Sequence, residues 1–481
     1  MAPKKTSMAR RARGWRSRSA TFLVVASISL AATGARASDI ALVGGTIIDV
    51  SRYGDSTRDL PDATLVIHDR RIAAIGPRHS VAIPAGARVV DVGGQFLIPG
   101  LIDGFAAQRT RGQAKAHLAM GVTTIVGLSD DRRGLLMDFE PEPHVKRLEA
   151  VNGYDISHLE PVPDSYGEIH RRGRRLAPAE LAAYVDARAW DGNEVLLLLY
   201  PLDDEQVRAV VAAARRRGLV TIGELGHASY AAAAAAGVQA FVHLNRIASE
   251  LAPPDLRREL ANDPFPGNAG RLRRQFEEFL VGLNPDGASV SRYAEALAAQ
   301  HAALMPTATL FVSGTRLDPH NPWHSEIAPL IDPHEIHLPL DRITGRLPVT
   351  PGESSAIAEL MDRATSSLFA IQRTFVNAGN RYLAASGTTA FGVLPGDGMH
   401  WEMQLLTRFG LTPRQALAAA TTNYSSSFGW TDRGELAAGR LADIVTLSSD
   451  PTKDIANTRS IVRVFLAGEE LDRQGLLRAA P

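Results

Sequence analysis

Apolar and polar positions divide the chain into two kinds of segment. Over residues 40–97, short alternating apolar runs such as Thr64-Leu65-Val66-Ile67 and Gln95-Phe96-Leu97-Ile98 are separated by Gly, Pro and Asp turns, the pattern of a small β-domain. Its missing strands are expected at the other end of the chain, in residues 443–447 and 461–466. Over residues 99–429, apolar runs alternate with helical stretches, which predicts βα units and a parallel sheet. Candidate strands are residues 123–126, 195–200, 220–222, 240–243, 303–307 and 382–386. Between them lie helices such as residues 206–217 and the nearly all-alanine 230–236, a composition that favours helix intrinsically. The fold class expected is α/β: a (β/α)8 TIM barrel (99–429) inserted in a composite β-sandwich built from both ends of the chain (38–98 and 430–481). Two stretches rich in Pro, Arg and Asp, residues 248–300 and 314–352, are expected to cover the barrel mouth.

Composition agrees with a globular protein. With 45% hydrophobic, 6% aromatic and 22% charged residues, the chain can bury a large core and lacks the bias of disorder or collagen. The formal net charge of zero conceals an asymmetry, because Lys4, Lys5, Arg10, Arg11, Arg13, Arg16, Arg18 and Arg36 all precede Asp39, the first acid. Without those eight, 44 basic residues face 52 acidic ones. No basic patch stands out, which argues against nucleic acid as a partner. The first residues have the three-part layout of a secretory signal: a cationic stretch to Arg18, an apolar core over 21–33, and Ala35-Arg36-Ala37 before Ser38. The apolar core falls short of the roughly 20 residues needed to span a bilayer. Cleavage after residue 37 and an exported chain, periplasmic or secreted and free of the membrane, are therefore expected. There is no cysteine, so no disulfide framework can form.

Residues Ile98-Pro99-Gly100-Leu101-Ile102-Asp103 resemble the segment with which metal-dependent amidohydrolases enter their first barrel strand. The likeness continues through Ala41-Leu42-Val43-Gly44-Gly45-Thr46 and Arg71-Ile72-Ala73-Ala74-Ile75-Gly76 near the start. Near the end it runs through Gly410-Leu411-Thr412-Pro413, Ala420-Thr421 and Arg433-Gly434-Glu435-Leu436. In order and over some four hundred residues, these pieces are similar to the imidazolonepropionase-like and dipeptidase-like branch of the amidohydrolase superfamily. The resemblance implies hydrolysis of C–N bonds in small amides, cyclic ureides or dipeptides, with a small molecule as the partner. It leaves the oligomeric state, including a homo-oligomer, open.

The same resemblance implies a binuclear metal site, and the strand ends depart from it. After Asp103 the family places His-x-His, two metal ligands; here the positions hold Phe105 and Ala107, which have no lone pair to donate. The bridging lysine expected at strand four is replaced by Leu198-Leu199-Tyr200-Pro201. The strand-five histidine falls on Gly223, with Glu224 adjacent, and strand six keeps His243. At strand eight the family's aspartate, a ligand and general base, is Thr389, whose neutral hydroxyl cannot balance a dication. No cofactor is expected. A single divalent ion such as zinc would have to use Glu224, His227 and His243, which requires a helix starting near Glu224 so that residues three apart share a face.

Three readings follow. In the first, the chain is a metal-independent hydrolase with His243 and Glu224 as base and orienting carboxylate, and Tyr200 or Thr389 polarising a carbonyl. The second is a non-catalytic protein that keeps the pocket for a small ligand, and the third an interaction module. His400 and Glu402 match a polar patch that the family carries after strand eight; the plain alternative is a helix start capped by Asp397 with polar residues facing solvent.

Overall fold

The computed structural model describes residues 39–129, 139–154, 160–161, 171–172, 174–263, 270–313, 315–337, 339–346 and 355–478. The expected signal, with its cleavage point, and parts of both expected insertions lie outside the described residues.

Eight parallel strands follow one another in chain order: Leu101–Gln108, Val122–Ser129, His144–Val151, Val195–Tyr200, Val220–Leu225, Ala240–Val242, Ala303–Met305 and Arg381–Tyr382. Beyond Tyr382 the chain returns to the first strand and closes the sheet. Gly104 N donates to Ala384 O (3.2 Å), Gly387 N to Phe105 O (2.8 Å) and Ala107 N to Thr388 O (2.9 Å), so the sheet is a barrel. Side chains alternate across it. Val195, Leu197, Leu199, Val220, Ile222, Ala240, Val242, Ala303 and Met305 form one buried cluster, whereas Leu196, Leu198, Phe241 and Leu304 join the larger core shared with the helices. Glu224, two residues beyond Ile222, is thus in register with the interior positions.

The helices have local causes. Asp204–Arg217 starts at Asp203, whose side chain accepts from Gln206 N, and stops at Gly218, which adopts the left-handed φ of 68° that only glycine takes without strain. Its Val207, Val210, Val211 and Ala214 lie against the sheet's outer face. Of the residues at 248–300, expected over the mouth, two helices belong to the outer layer. Arg271–Gly282 and Ala288–Ala299 bury Leu272, Phe276 and Leu280, and Val290, Ala294 and Leu297, in the main core, because those apolar positions recur at helical spacing. The third barrel strand, His144–Val151, was not predicted, because Lys146, Arg147 and Glu149 interrupt its apolar run. The described part of the second insertion is a series of short turns, Pro322–His324, Ala328–Leu330 and Pro333–Glu335. His337 N donates to Thr389 O (2.9 Å), which fastens this segment to the loop after strand eight.

The second sheet combines both ends of the chain. Ile444–Leu447 pairs antiparallel with Phe96–Pro99 and with Ile461–Leu466, while Ile40–Ile47 pairs with Phe96–Pro99 and with Leu60–His68. Only Gly100 separates Phe96–Pro99 from the first barrel strand. A β-carbon there would collide with the Thr123 side chain, so the passage from one sheet to the other needs glycine.

Candidate functional site

Strands six and seven end alike. His243 (φ 69°) and Thr307 (φ 49°) both occupy the left-handed region, a conformation costing a non-glycine residue about 1–3 kcal/mol and retained only where surrounding contacts enforce it. Those contacts are present: His243 N donates to Met305 O and Leu244 N to Pro306 O, each at 3.0 Å. The two side chains then meet, with His243 Nδ1 2.7 Å from Thr307 Oγ1. The Thr307 hydroxyl donates to Pro306 O at 2.6 Å. With the Thr307 hydroxyl donating to Pro306 O, Thr307 accepts from Nδ1–H, and this tautomer leaves the lone pair of the neutral imidazole on Nε2.

Around Nε2 the barrel supplies one acid and one base. Glu224 Oε2 is 3.9 Å from His243 Nε2, and Glu224 Oε1 is 3.2 Å from Arg246 Nε. Both members of the Glu224–Arg246 pair have side chains only 6% exposed. The Arg246 guanidinium also lies 5.7 Å from the Tyr200 ring centre, and Phe105 packs edge-on against the His243 ring at 5.2 Å. Burial holds the His243 imidazole below its ordinary range; Glu224 opposes the shift and Arg246 adds to it. His243 is therefore an uncharged base at neutral pH. Burial, reinforced by Glu224, raises the Tyr200 phenol well above its usual range, so it remains a donor.

The structure thus brings together three of the residues expected from sequence, Tyr200, Glu224 and His243, and separates two. Glu224 lies inside the strand Val220–Leu225, and the next helix starts only at Tyr230, so Glu224 and His227 share no helical face. His227 is exposed, and its imidazole is depressed by burial of its inner part and by Arg175, with Asn262 as a hydrogen-bonding neighbour. Thr389 is half-buried at the end of strand eight, where its carbonyl accepts from His337; no contact joins it to His243 among the described residues. Among those residues no group of three His, Asp or Glu side chains is placed to hold a metal ion. Arg246 and Thr307 were not expected. Neither carries a motif, and their roles depend on the turns after strands six and seven.

The patch after strand eight also differs from expectation. Helix Asp397–Arg408 is preceded by Gly396 and has no side-chain cap, and Asp397, His400 and Glu402 are wholly buried. Asp397 accepts from His320 Nε2 (2.8 Å) and Arg459 Nη1 (2.5 Å). Burial pulls its carboxyl upward, but these partners outweigh that and hold it well below the usual range. His400 bridges Thr458 Oγ1 (2.8 Å) and Met120 O (2.9 Å), and burial pushes it down to about 3. Glu402 Oε2 accepts from Thr309 N at 3.0 Å, while among the described residues no hydrogen bond reaches the buried Oε1. Burial, with Asp103 nearby, pushes Glu402 up to about 8. Asp103, pushed up to about 6 by burial, accepts from Ser386 Oγ (2.5 Å) and Ser386 N (2.9 Å). These groups fasten the seam between the first and last strands to its helices.

Residues 382–471 match the profile of the amidohydrolase family. An imidazolonepropionase of Deinococcus radiodurans is 39% identical over 64 residues, 13% of this chain and 16% of that protein. The matched stretch thus spans about a sixth of that relative's length. An imidazolonepropionase of Pseudomonas entomophila is 23% identical over 423 residues, 82% of this chain and 90% of the relative. Among solved structures, molinate hydrolase superposes with a TM-score of 0.60 at 16% identity, covering 92% of this chain and 98% of its own.

Proposed function

We propose that this chain, which belongs to the amidohydrolase superfamily, hydrolyses a C–N bond in a small molecule without a bound metal ion, using His243 as general base. The observation that carries this reading is the pairing of Phe105 with His243. Where relatives of this fold are expected to place a metal-ligating imidazole, an aromatic ring stands against the one imidazole retained. Ala107 and Thr389 add no ligand of the required charge, and Tyr200 replaces a lysine, so the donor set does not fit a divalent ion.

In this reading His243 Nε2 takes a proton from water as the water oxygen attacks the carbonyl carbon. Glu224, 3.9 Å away, stabilises the imidazolium that forms, and Tyr200 donates a hydrogen bond to the developing oxyanion. The C–N bond then breaks and Nε2 returns its proton to the leaving nitrogen, giving a carboxylic acid and an amine, between which the acid's proton passes to leave a carboxylate and an ammonium. Arg246 fixes Glu224 and does not touch the reacting atoms. The small-molecule names of the relatives support a small-molecule substrate, and the family resemblance suggests an amide, cyclic ureide or dipeptide.

The test is His243→Asn assayed on a panel of such compounds. Turnover should fall at least a hundredfold, the scale of a lost general base, while the melting temperature stays close to wild type. An unchanged rate would refute the assignment. A wild-type protein that binds members of the panel but turns over none of them would replace the enzyme reading with the binding-protein one.

A further inference from the structure

Beside the barrel mouth is a cavity of about 490 Å³ that shares no lining residue with the His243 cluster. One wall is Arg109, Thr110 and Gln113, where the first strand runs into helix Arg111–Ala119; the other is His334, Glu335 and His337 of the second insertion. Its size is that of an ordinary small-molecule site. Besides the Thr389 bond, Gly392 N donates to His337 O (3.4 Å), so the second wall is held to the loop after strand eight.

Glu335 is the best-positioned group in it. Its Oε2 accepts from Thr110 Oγ1 at 3.0 Å and from Gln113 Nε2 at 3.3 Å. Gln113 is itself wholly buried, and its Oε1 accepts from Arg109 N at 2.7 Å, so the donors that orient Glu335 are held in turn. Both bonds go to one oxygen, and among the described residues none goes to the other. Arg109, His334 and His337, by contrast, are already engaged in interactions of their own. Burial keeps the His337 imidazole below its usual range, so at neutral pH it adds little positive charge. Glu335 Oε1 therefore offers acceptor capacity on a pre-oriented anion, which suits a charged N–H donor.

We propose that this cavity is a binding subsite for the cationic N–H-donating head group of a small molecule, a primary ammonium or an amidinium, read by Glu335. The site is distinct from the hydrolytic centre, and its test measures binding, so it can fail or succeed independently of catalysis. Benzamidine and n-butylammonium serve as probes on the full chain, with neutral N-methylacetamide and acetate as comparisons, followed by ligand-observed NMR titration. Both cations should bind, the Glu335→Gln protein should bind them at least tenfold more weakly, and His243→Asn should bind them as wild type does. Thr110→Val, which removes one of the two orienting bonds, should weaken binding several-fold and keeps the test decisive if Glu335→Gln does not fold. Binding unaffected by either substitution, no binding of either cation to wild type, or equal or tighter binding of N-methylacetamide or acetate would overturn the proposal.

Discussion

His243 joins strained backbone to usable chemistry. Its left-handed φ turns the ring out of the strand's alternation, Thr307 holds Nδ1 in a hydrogen bond, and its surroundings keep the imidazole uncharged. The sign of the resulting pH dependence follows from the depressed imidazole. The base form persists as pH falls below the ordinary histidine value of about 6.5, so the acid limb of kcat/KM should have its midpoint below that value. Glu224 raises the imidazole and Arg246 lowers it. Glu224→Gln should therefore move the limb to lower pH and Arg246→Gln to higher pH; a pH–rate profile that ignored both substitutions would show that neither charge acts on the base. His243 and Glu224 were reached by carrying the family resemblance onto the strand ends. Arg246 was not, because a residue one turn beyond a strand gives no periodic signal, and Thr307, the last residue of a predicted strand, carries no motif.

At the scale of elements, helix Asp397–Arg408 is seated by polar groups that water does not reach. Sequence reading left His400 and Glu402 as either a polar patch implied by the family resemblance or a solvent-facing helix start capped by Asp397, since charge normally marks an exposed face. Here the partners lie far off in sequence, at Thr309, His320, Thr458 and Arg459, where no local pattern could reveal them. Glu402 gives a measurable consequence. Its carboxyl titrates at about 8 when folded against an ordinary 4.5, so the folded state holds a proton that the unfolded state has lost. Stability from this group is complete below about pH 4.5 and is lost as pH rises through 8. Asp103, raised to about 6, acts in the same direction at lower pH, while His117 and His400, held neutral by burial, add stability as pH rises through the ordinary histidine value, so the difference between wild type and Glu402→Gln isolates Glu402. Between pH 6 and 8 the stability of wild type relative to Glu402→Gln, which keeps an acceptor for Thr309 N, should fall by on the order of 2–3 kcal/mol in denaturant unfolding. A difference that stays constant with pH would place the proton elsewhere.

For the whole molecule, the barrel and the composite sheet followed from hydrophobic periodicity, because burial on both faces of a parallel strand and on one face of a helix leaves a readable repeat. The third strand escaped where charged residues broke that repeat, and the two helices Arg271–Gly282 and Ala288–Ala299 were not distinguished from the rest of 248–300 because Pro and Arg obscured their apolar stripes. The framework is shared with molinate hydrolase, while the strand ends hold Phe105, Ala107, Tyr200 and Thr389, and fold alone does not carry chemistry across such a change. The most direct measurement is elemental analysis of the purified chain together with amide hydrolysis before and after exhaustive chelation. Well under one equivalent of zinc, iron, manganese or nickel, with the rate and melting temperature unchanged by the chelator, is the predicted result. One bound equivalent per chain, whose removal abolishes turnover and lowers the melting temperature and whose return restores both, would contradict metal-independent catalysis by His243.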